Sequence, residues 1–144
     1  MQMGSDITGA ANYDYLRYYG CVSITNDGLT VAVGWPFTQG GTWRGVVRVY
    51  NHDSTIDAWN QIGSDLVGDN YLDEFSETAL SSDGTYLVGA SYYGDYLKLF
   101  AKIGSNYEMI GEKLPSGEGG SFGVSSVDIS ADGKEVAIGD SVCG

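Results

Sequence analysis

Apolar and polar residues alternate along much of this chain with the two-residue period of half-buried strands, and no useful stretch carries the 3.6-residue period of an amphipathic helix. Short strands are expected at Cys21–Thr25, Glu77–Ser81 and Val124–Ser130, each opened by an aromatic landmark: Tyr19-Gly20, Phe75-Ser76 or Phe122-Gly123. Each strand runs into an Asp-Gly turn, Asn26-Asp27-Gly28, Ser82-Asp83-Gly84 or Ala131-Asp132-Gly133. Asp-Gly suits a tight hairpin because Gly has no Cβ to oppose positive φ and Asp tolerates the left-handed region. The strand that follows, Thr30–Gly34, Tyr86–Ala90 or Glu135–Gly139, is apolar with a small residue at its end, which suggests close backbone approach.

Two further strands complete the unit. Val46–Tyr50 and Tyr96–Phe100 alternate in the same way, and a last strand begins at Trp59 and at Tyr107. That last strand reads Gln61-Ile62-Gly63-Ser64-Asp65-Leu66 in one copy, and Gln2-Met3-Gly4-Ser5-Asp6-Ile7 repeats it without the aromatic lead. Asp27, Asp83 and Asp132 lie 56 and 49 residues apart, and Gly4, Gly63 and Gly111 lie 59 and 48 apart. Four short antiparallel strands in a period of roughly 40 to 50 residues mark a β-propeller blade. The expectation is an all-β chain of propeller blades in an incomplete ring.

The pieces Phe122-Gly123, Val136–Gly139, Gly45–Tyr50 and Trp59–Leu66 resemble the FG-GAP repeat of the integrin α-subunit propeller, in its DG-turn variant, over nearly the whole chain. The resemblance implies that the strand opening at Phe75 lies innermost and the one starting at Tyr107 outermost. On that grouping residues 2–7 are an orphan outer strand, 19–66 and 75–114 are two full blades, and 122–143 is the inner part of a third. Two full blades and two fragments cannot close a ring of at least four. The uncovered edges then call for a longer propeller or for association between copies by strand addition.

The resemblance also raises the question of calcium, since many such repeats carry a D-x-D-x-D-G loop with three carboxylate ligands. Here only the last Asp-Gly remains, so Asp27-Gly28, Asp83-Gly84 and Asp132-Gly133 are expected to be structural turns. Asp69, Asp73 and Glu74 form a weaker cation candidate, and a solvated acidic loop is the simpler reading. No cofactor is expected.

Charge and composition narrow the partners. With 144 residues, 7 basic side chains against 19 acidic ones and a net charge of −12, the chain repels nucleic acid and anionic membrane surfaces. There is no signal-peptide pattern in the segment and no apolar run near the roughly 18 residues of a span. Cys21 and Cys143 share no metal or redox spacing, and His52 is the lone histidine.

The functional expectation is a non-catalytic interaction or adhesion module, extracellular or at a cell surface, whose loops bind protein or glycan. Tyr13, Tyr15, Tyr18, Trp35, Trp43, Tyr92 and Tyr93 are the aromatic candidates for that surface, although packing between blades is the simpler account of them. A spacer or filament element is a second reading. A sialidase-like enzyme is a third, weakened because Ser81-Ser82-Asp83-Gly84 lacks the Trp of an Asp-box and Arg17, Arg44 and Arg48 form no evident carboxylate-binding cluster.

Overall fold

A computed structural model of the chain describes residues 2–9, 21–37, 42–113 and 123–141. Those residues form ten strands and no helix: β1 (Val22–Ile24), β2 (Thr30–Trp35), β3 (Val46–Asp53), β4 (Ala58–Val67), β5 (Phe75–Leu80), β6 (Tyr86–Ser91), β7 (Leu97–Ile103), β8 (Asn106–Lys113), β9 (Gly123–Ile129) and β10 (Val136–Ser141). They pair as two four-stranded antiparallel sheets in sequential order, β1 to β4 and β5 to β8, and a two-stranded sheet of β9 and β10. These are the expected two blades and part of a third. Residues 2–7, expected as an outer strand, pair with no strand among the described residues, and Tyr19, Gly20, Phe122 and Cys143 lie outside them.

The blades stack face to face because their strands are apolar on both sides. In β2 every residue is buried, and so is every residue of β5. One core, with Ala32, Val47, Val49 and Leu66 of the first blade against Phe75, Leu80, Leu87, Phe100 and Tyr107 of the second, fills the first junction. A second core joins Ala79, Val88, Ala90 and Leu97 to Val124 and Ile129 of the third. A third, built on Val31, Val33, Trp35 and Val46, covers the opposite face of the first blade and takes in Ile7 and Trp59.

The Asp-Gly turns fold alike three times. The carboxylate of Asp27, Asp83 or Asp132 accepts from a hydroxyl two residues before it, that of Thr25, Ser81 or Ser130, at 2.7, 2.9 and 2.8 Å. It also accepts from the amide two residues after it, that of Leu29, Thr85 or Lys134, at 2.9, 2.9 and 3.2 Å. Gly28, Gly84 and Gly133 donate back to the carbonyls of Thr25, Ser81 and Ser130, closing a turn of the i to i+3 kind. Positive φ falls on these glycines, at 74°, 71° and 73°, and not on the aspartates. The aspartate therefore acts through its side chain, as in an Asx turn, rather than by entering the left-handed region. These bonds hold the Asp27 and Asp83 carboxyls below the usual carboxylate range, and that of Asp132 is held down first by the Lys134 ammonium at 2.9 Å and then by the turn.

The turns also bind one another. Asn26 donates its amide to the carbonyl of Ser82 at 2.9 Å, and Ser82 donates to Ala131 at 3.2 Å, so equivalent residues of successive blades are joined in line. The glycine just before the end of β2 is required by the next blade: a Cβ on Gly34 would lie 1.7 Å from the carbonyl oxygen of Ser76.

Candidate interaction face

At the end of the strands opposite the Asp-Gly turns, three loops are fastened to each other. They are residues 36–37 and 42–45 between β2 and β3, 68–74 between β4 and β5, and 92–96 between β6 and β7. Leu72 donates its amide to Thr42 at 3.2 Å, Glu74 to Trp43 and Phe75 to Arg44 at 2.9 Å each, and Tyr93 to Asp73 at 3.1 Å. Each bond crosses from one loop to the next or into the strand it feeds. Loops of two successive blades are thereby tied together at one end of the strands.

Beneath these loops lies a polar anchor. Tyr96 donates its hydroxyl to Asp73 Oδ2 at 2.8 Å while accepting the amide of Asp69 at 2.9 Å. Asn70 donates its amide to the same Asp73 oxygen at 2.7 Å, and Ser91 donates its hydroxyl to the Asp73 carbonyl. Burial, with the neighbouring carboxylates, pushes the Tyr96 hydroxyl well above its ordinary pKa. Lys98 pairs with Asp69 at 2.5 Å and lies 4.9 Å from the centre of the Tyr96 ring. Glu74 is buried, which raises its carboxyl pKa. The structure thus gives the carboxylates of Asp69 and Asp73 to Lys98, Tyr96 and Asn70, and no group of three or more metal-ligating side chains occurs among the described residues.

The backbone is strained where this surface is built. Among the described residues, non-glycine positive φ occurs at Trp43, Leu72, Glu74, Asp95 and Asp57, and the first four lie in these loops. Bulky side chains avoid that region, at a cost of about 1–2 kcal/mol each. Such strain concentrates where a side chain must be held in a particular place. Trp43 and Leu72 are exposed there, and so are Tyr71 and Tyr93 in the same loops, at 64% and 58%. Phe37 supports Trp43 edge-on at 4.6 Å, and Tyr92 supports Tyr93 at 4.7 Å.

Of the aromatic candidates, Trp43 and Tyr93 stand on this surface, and Tyr92 is half-buried beneath it. Trp35 does not belong to it. It is 1% exposed, packs edge-on to Tyr50 and lies under the Arg48 guanidinium, because β2 is enclosed on both faces. Tyr13, Tyr15 and Tyr18 lie outside the described residues. Tyr71 and Leu72 had no sequence signal, since their place follows from the backbone bonds that raise the 68–74 loop. Arg44 donates Nε to the Gly68 carbonyl at 2.7 Å, and Arg48 forms a paired contact with Asp65 at 2.9 and 2.8 Å, so those two arginines do not converge.

Sequence reasoning also missed Glu77. It is buried on the innermost strand of its blade, where burial lifts its carboxyl from an ordinary 4.5 to about 7. Its neighbour across the blade junction is Cys21, whose thiol donates to the Thr78 carbonyl at 3.3 Å and is itself pushed up by burial.

Solved structures place this architecture. A protein of the complex of KlAtg21 with the coiled coil of AgAtg16 matches with a TM-score of 0.57 and 17% identity over 84% of this chain and 36% of that one. The chain is a β-propeller arc. The periplasmic gluconolactonase PpgL of Pseudomonas aeruginosa matches with a TM-score of 0.58 and 17% identity over 83% of this chain and 32% of that one. A Bacteroides fragilis protein described as a 6-phosphogluconolactonase gives 0.58 and 15% over 85% and 34%. The propeller arc thus spans about a third of the length of the solved structures it matches. No family model matches the chain, and no curated protein matches its sequence. The three comparisons bear on fold alone, and the ring is not closed.

Proposed function

We propose that this propeller arc is a non-catalytic interaction module that binds a protein partner through the face built by Trp43, Tyr71, Leu72 and Tyr93. The observation that carries the reading is the stitching of three loops, at the expense of backbone strain, into one exposed aromatic surface. Exposed Trp and Tyr at a rigid centre are the residues from which protein interfaces draw most of their energy. The polar groups below them, Asp73, Ser91 and Arg44, are engaged within the fold. A glycan needs such groups for its hydroxyls, which favours protein over glycan as ligand. The acidic surface favours a basic or neutral partner. An extracellular or cell-surface setting, and kinship with the DG-turn FG-GAP repeats, rest on the residues of the repeat and belong to the same proposal.

The propeller fold by itself does not choose between binding and catalysis, since its solved relatives include gluconolactonases and a protein in complex with a coiled coil. The choice here rests on the loop face. The test compares the chain with a Trp43→Ala, Tyr93→Ala variant, using photo-crosslinking to cell-surface proteins together with a glycan array and lactone and glycoside turnover. Protein capture that the double change abolishes, at unchanged melting temperature, supports the reading. Capture indifferent to the double change, binding to glycans only, or turnover lost on Glu74→Gln overturns it.

A further inference from the structure

The peptide group joining Asp73 to Glu74 is bonded on both sides. Its N–H donates to the Trp43 carbonyl at 2.9 Å, and its C=O accepts the Tyr93 amide at 3.1 Å. A trans peptide points these two groups in opposite directions, so the backbones of Trp43 and Tyr93 stand on either side of Glu74. Both rings are exposed, at 41% and 58%. Glu74 itself is held at a φ of 50°, a left-handed conformation that glutamate avoids.

Its side chain differs from the other carboxylates around it. Asp69 has Lys98, and Asp73 has the Tyr96 hydroxyl and the Asn70 amide. Glu74 is only 4% exposed, yet its carboxyl accepts no hydrogen bond and meets no cation among the described residues. Burial raises its pKa, and no neighbouring charge lowers it. The carboxyl oxygens do not belong to the side-chain atoms sealed from solvent without a partner, so they keep a narrow opening to the surface. The basic side chains at this end of the blades are engaged elsewhere, Arg44 with the Gly68 carbonyl and Lys98 with Asp69.

The fold shows twice what such a carboxylate holds. Arg48 lies 5.2 Å from the centre of the Trp35 ring and pairs with Asp65 at 2.8 Å. Lys98 lies 4.9 Å from the centre of the Tyr96 ring and 5.8 Å from that of Phe75, and pairs with Asp69 at 2.5 Å. These two cations hold equivalent places in successive blades, opposite Val33 in one and Gly89 in the other. In each, an aromatic face carries the cation and a carboxylate neutralises it. Trp43, Tyr93 and Glu74 bring the same two components to the loop face and leave the cation to be supplied.

We infer that this face takes a lysine side chain of its protein partner, with the ammonium on the Glu74 carboxylate and the methylene stem between Trp43 and Tyr93. The inference rests on the protein-binding reading of the face and adds the chemistry of its anchor. Lysine suits the site better than arginine because the carboxyl is reached through a narrow opening, which admits a compact ammonium on a slender stem more readily than a planar guanidinium fork. Lys98, whose side chain is 8% exposed, is laid between blades in the same manner. An ammonium beside Glu74 favours its ionised form and offsets the effect of burial. The net charge of −12 draws a basic partner towards the chain.

The test is an NMR titration of the full chain with N-acetyl-lysine amide, with the Nε-acetylated form of that compound, which lacks the charge, and with N-acetyl-arginine amide. Saturable shifts are expected at the Trp43 indole and at the Glu74 and Tyr93 amides. The lysine compound should bind about tenfold more tightly than its neutral form, the worth of a charge-assisted hydrogen bond. Glu74→Gln is expected to abolish that preference, and Trp43→Leu to weaken binding about three- to fivefold through loss of the ring. Glu108→Gln, the same change of charge at an exposed place on β8, leaves binding unchanged. Equal binding of the charged and neutral compounds, a preference that survives Glu74→Gln, tighter binding of the arginine compound, or no shift at these sites overturns the inference. Photo-crosslinking separates that failure from failure of the protein-binding reading. Capture lost in the Trp43→Ala, Tyr93→Ala variant but retained in full by Glu74→Gln overturns the lysine anchor and leaves the protein-binding face standing.

Discussion

Asn26 and Ser82 hold equivalent places in successive blades and are joined by a backbone hydrogen bond of 2.9 Å, from the amide of the first to the carbonyl of the second. Each turn is fixed internally by its aspartate and externally by its neighbour. Register along a strand and stacking between blades are therefore set at the same few residues. A sheet whose register slips by one residue turns its core face outward, so a turn that fixes register protects the whole junction.

Asp83 is the middle member of that line. Its carboxylate takes the hydroxyl and amide of Thr85 at 2.7 and 2.9 Å and the hydroxyl of Ser81 at 2.9 Å. Asp83→Ala is expected to lower stability by about 1 kcal/mol, the net worth of a few exposed hydrogen bonds after solvent screening. Because Ser82 bonds to both neighbouring turns, the loss should exceed that from Asp27→Ala or Asp132→Ala. Urea unfolding of the three variants side by side measures the order. The folded carboxyls titrate below their unfolded value, so this stability is present above about pH 4 and lost as pH falls through the folded pKa.

Gly34→Ala tests the blade junction without touching a turn. The added methyl would fall 1.7 Å from the Ser76 carbonyl oxygen, on the backbone of the innermost strand of the next blade. Neither strand can yield without breaking its ladder, and a loss of about 3 kcal/mol or more is expected, as for severe overpacking. Gly104→Ala is the control. It has positive φ, 63°, which Gly34 does not, and open space around it, so only the backbone cost of about 1 kcal/mol applies. Thermal melts of equal magnitude for the two would contradict the close-packed junction.

The repeat was legible because every copy keeps its turn chemistry. Alternation located all ten strands, and the sequence of Asp27-Gly28, Asp83-Gly84 and Asp132-Gly133 gave the frame in which they pair. What could not be read was which aromatic faces outward. Trp35 and Trp43 flank the same loop, but Trp35 ends a strand closed on both faces while Trp43 sits at positive φ on the surface. Aromatic residue type does not distinguish those fates, whereas backbone conformation does. Glu77 stayed hidden for a related reason, since a polar residue in an alternating strand reads as solvent-facing until another blade is laid over it.

Tyr96→Phe should loosen the loop face while leaving the blades in place. The hydroxyl bridges the Asp69 amide and the Asp73 carboxylate, and its removal leaves both short of a partner in a buried setting. A loss of about 1–3 kcal/mol is expected. Hydrogen exchange should accelerate at Asn70 to Asp73 more than at the β5 and β6 amides. Uniform acceleration over the whole chain would mean that the anchor supports the fold rather than the face.

Leu72→Asn separates strain from stability. Leu72 has φ of 68° and its side chain is exposed, so asparagine, which tolerates the left-handed region, is expected to raise stability by about 0.5–1 kcal/mol. The same change removes apolar surface from the middle of the aromatic face and should weaken partner capture. Improved binding, or a fall in melting temperature, would show that the conformation is not held for the side chain it presents.

Glu77 makes stability depend on pH in the opposite sense to the turn aspartates. Its folded carboxyl titrates near 7 against an ordinary 4.5, so the folded chain binds a proton more tightly than the unfolded chain between those values. Stability should therefore be greatest, as far as this group is concerned, below about pH 4.5, decline as pH rises towards 7, and stay level above it. Glu77→Gln cannot ionise and should be more stable than the parent by about 1–2 kcal/mol at pH 8, allowing for solvent screening in the inner strands, and nearly equal to it at pH 4.5. Urea unfolding of both chains at the two values decides it. An advantage independent of pH would assign the effect to packing against Cys21, while a disadvantage at pH 8 would mean that the ionised carboxylate has a stabilising partner at the centre of the ring.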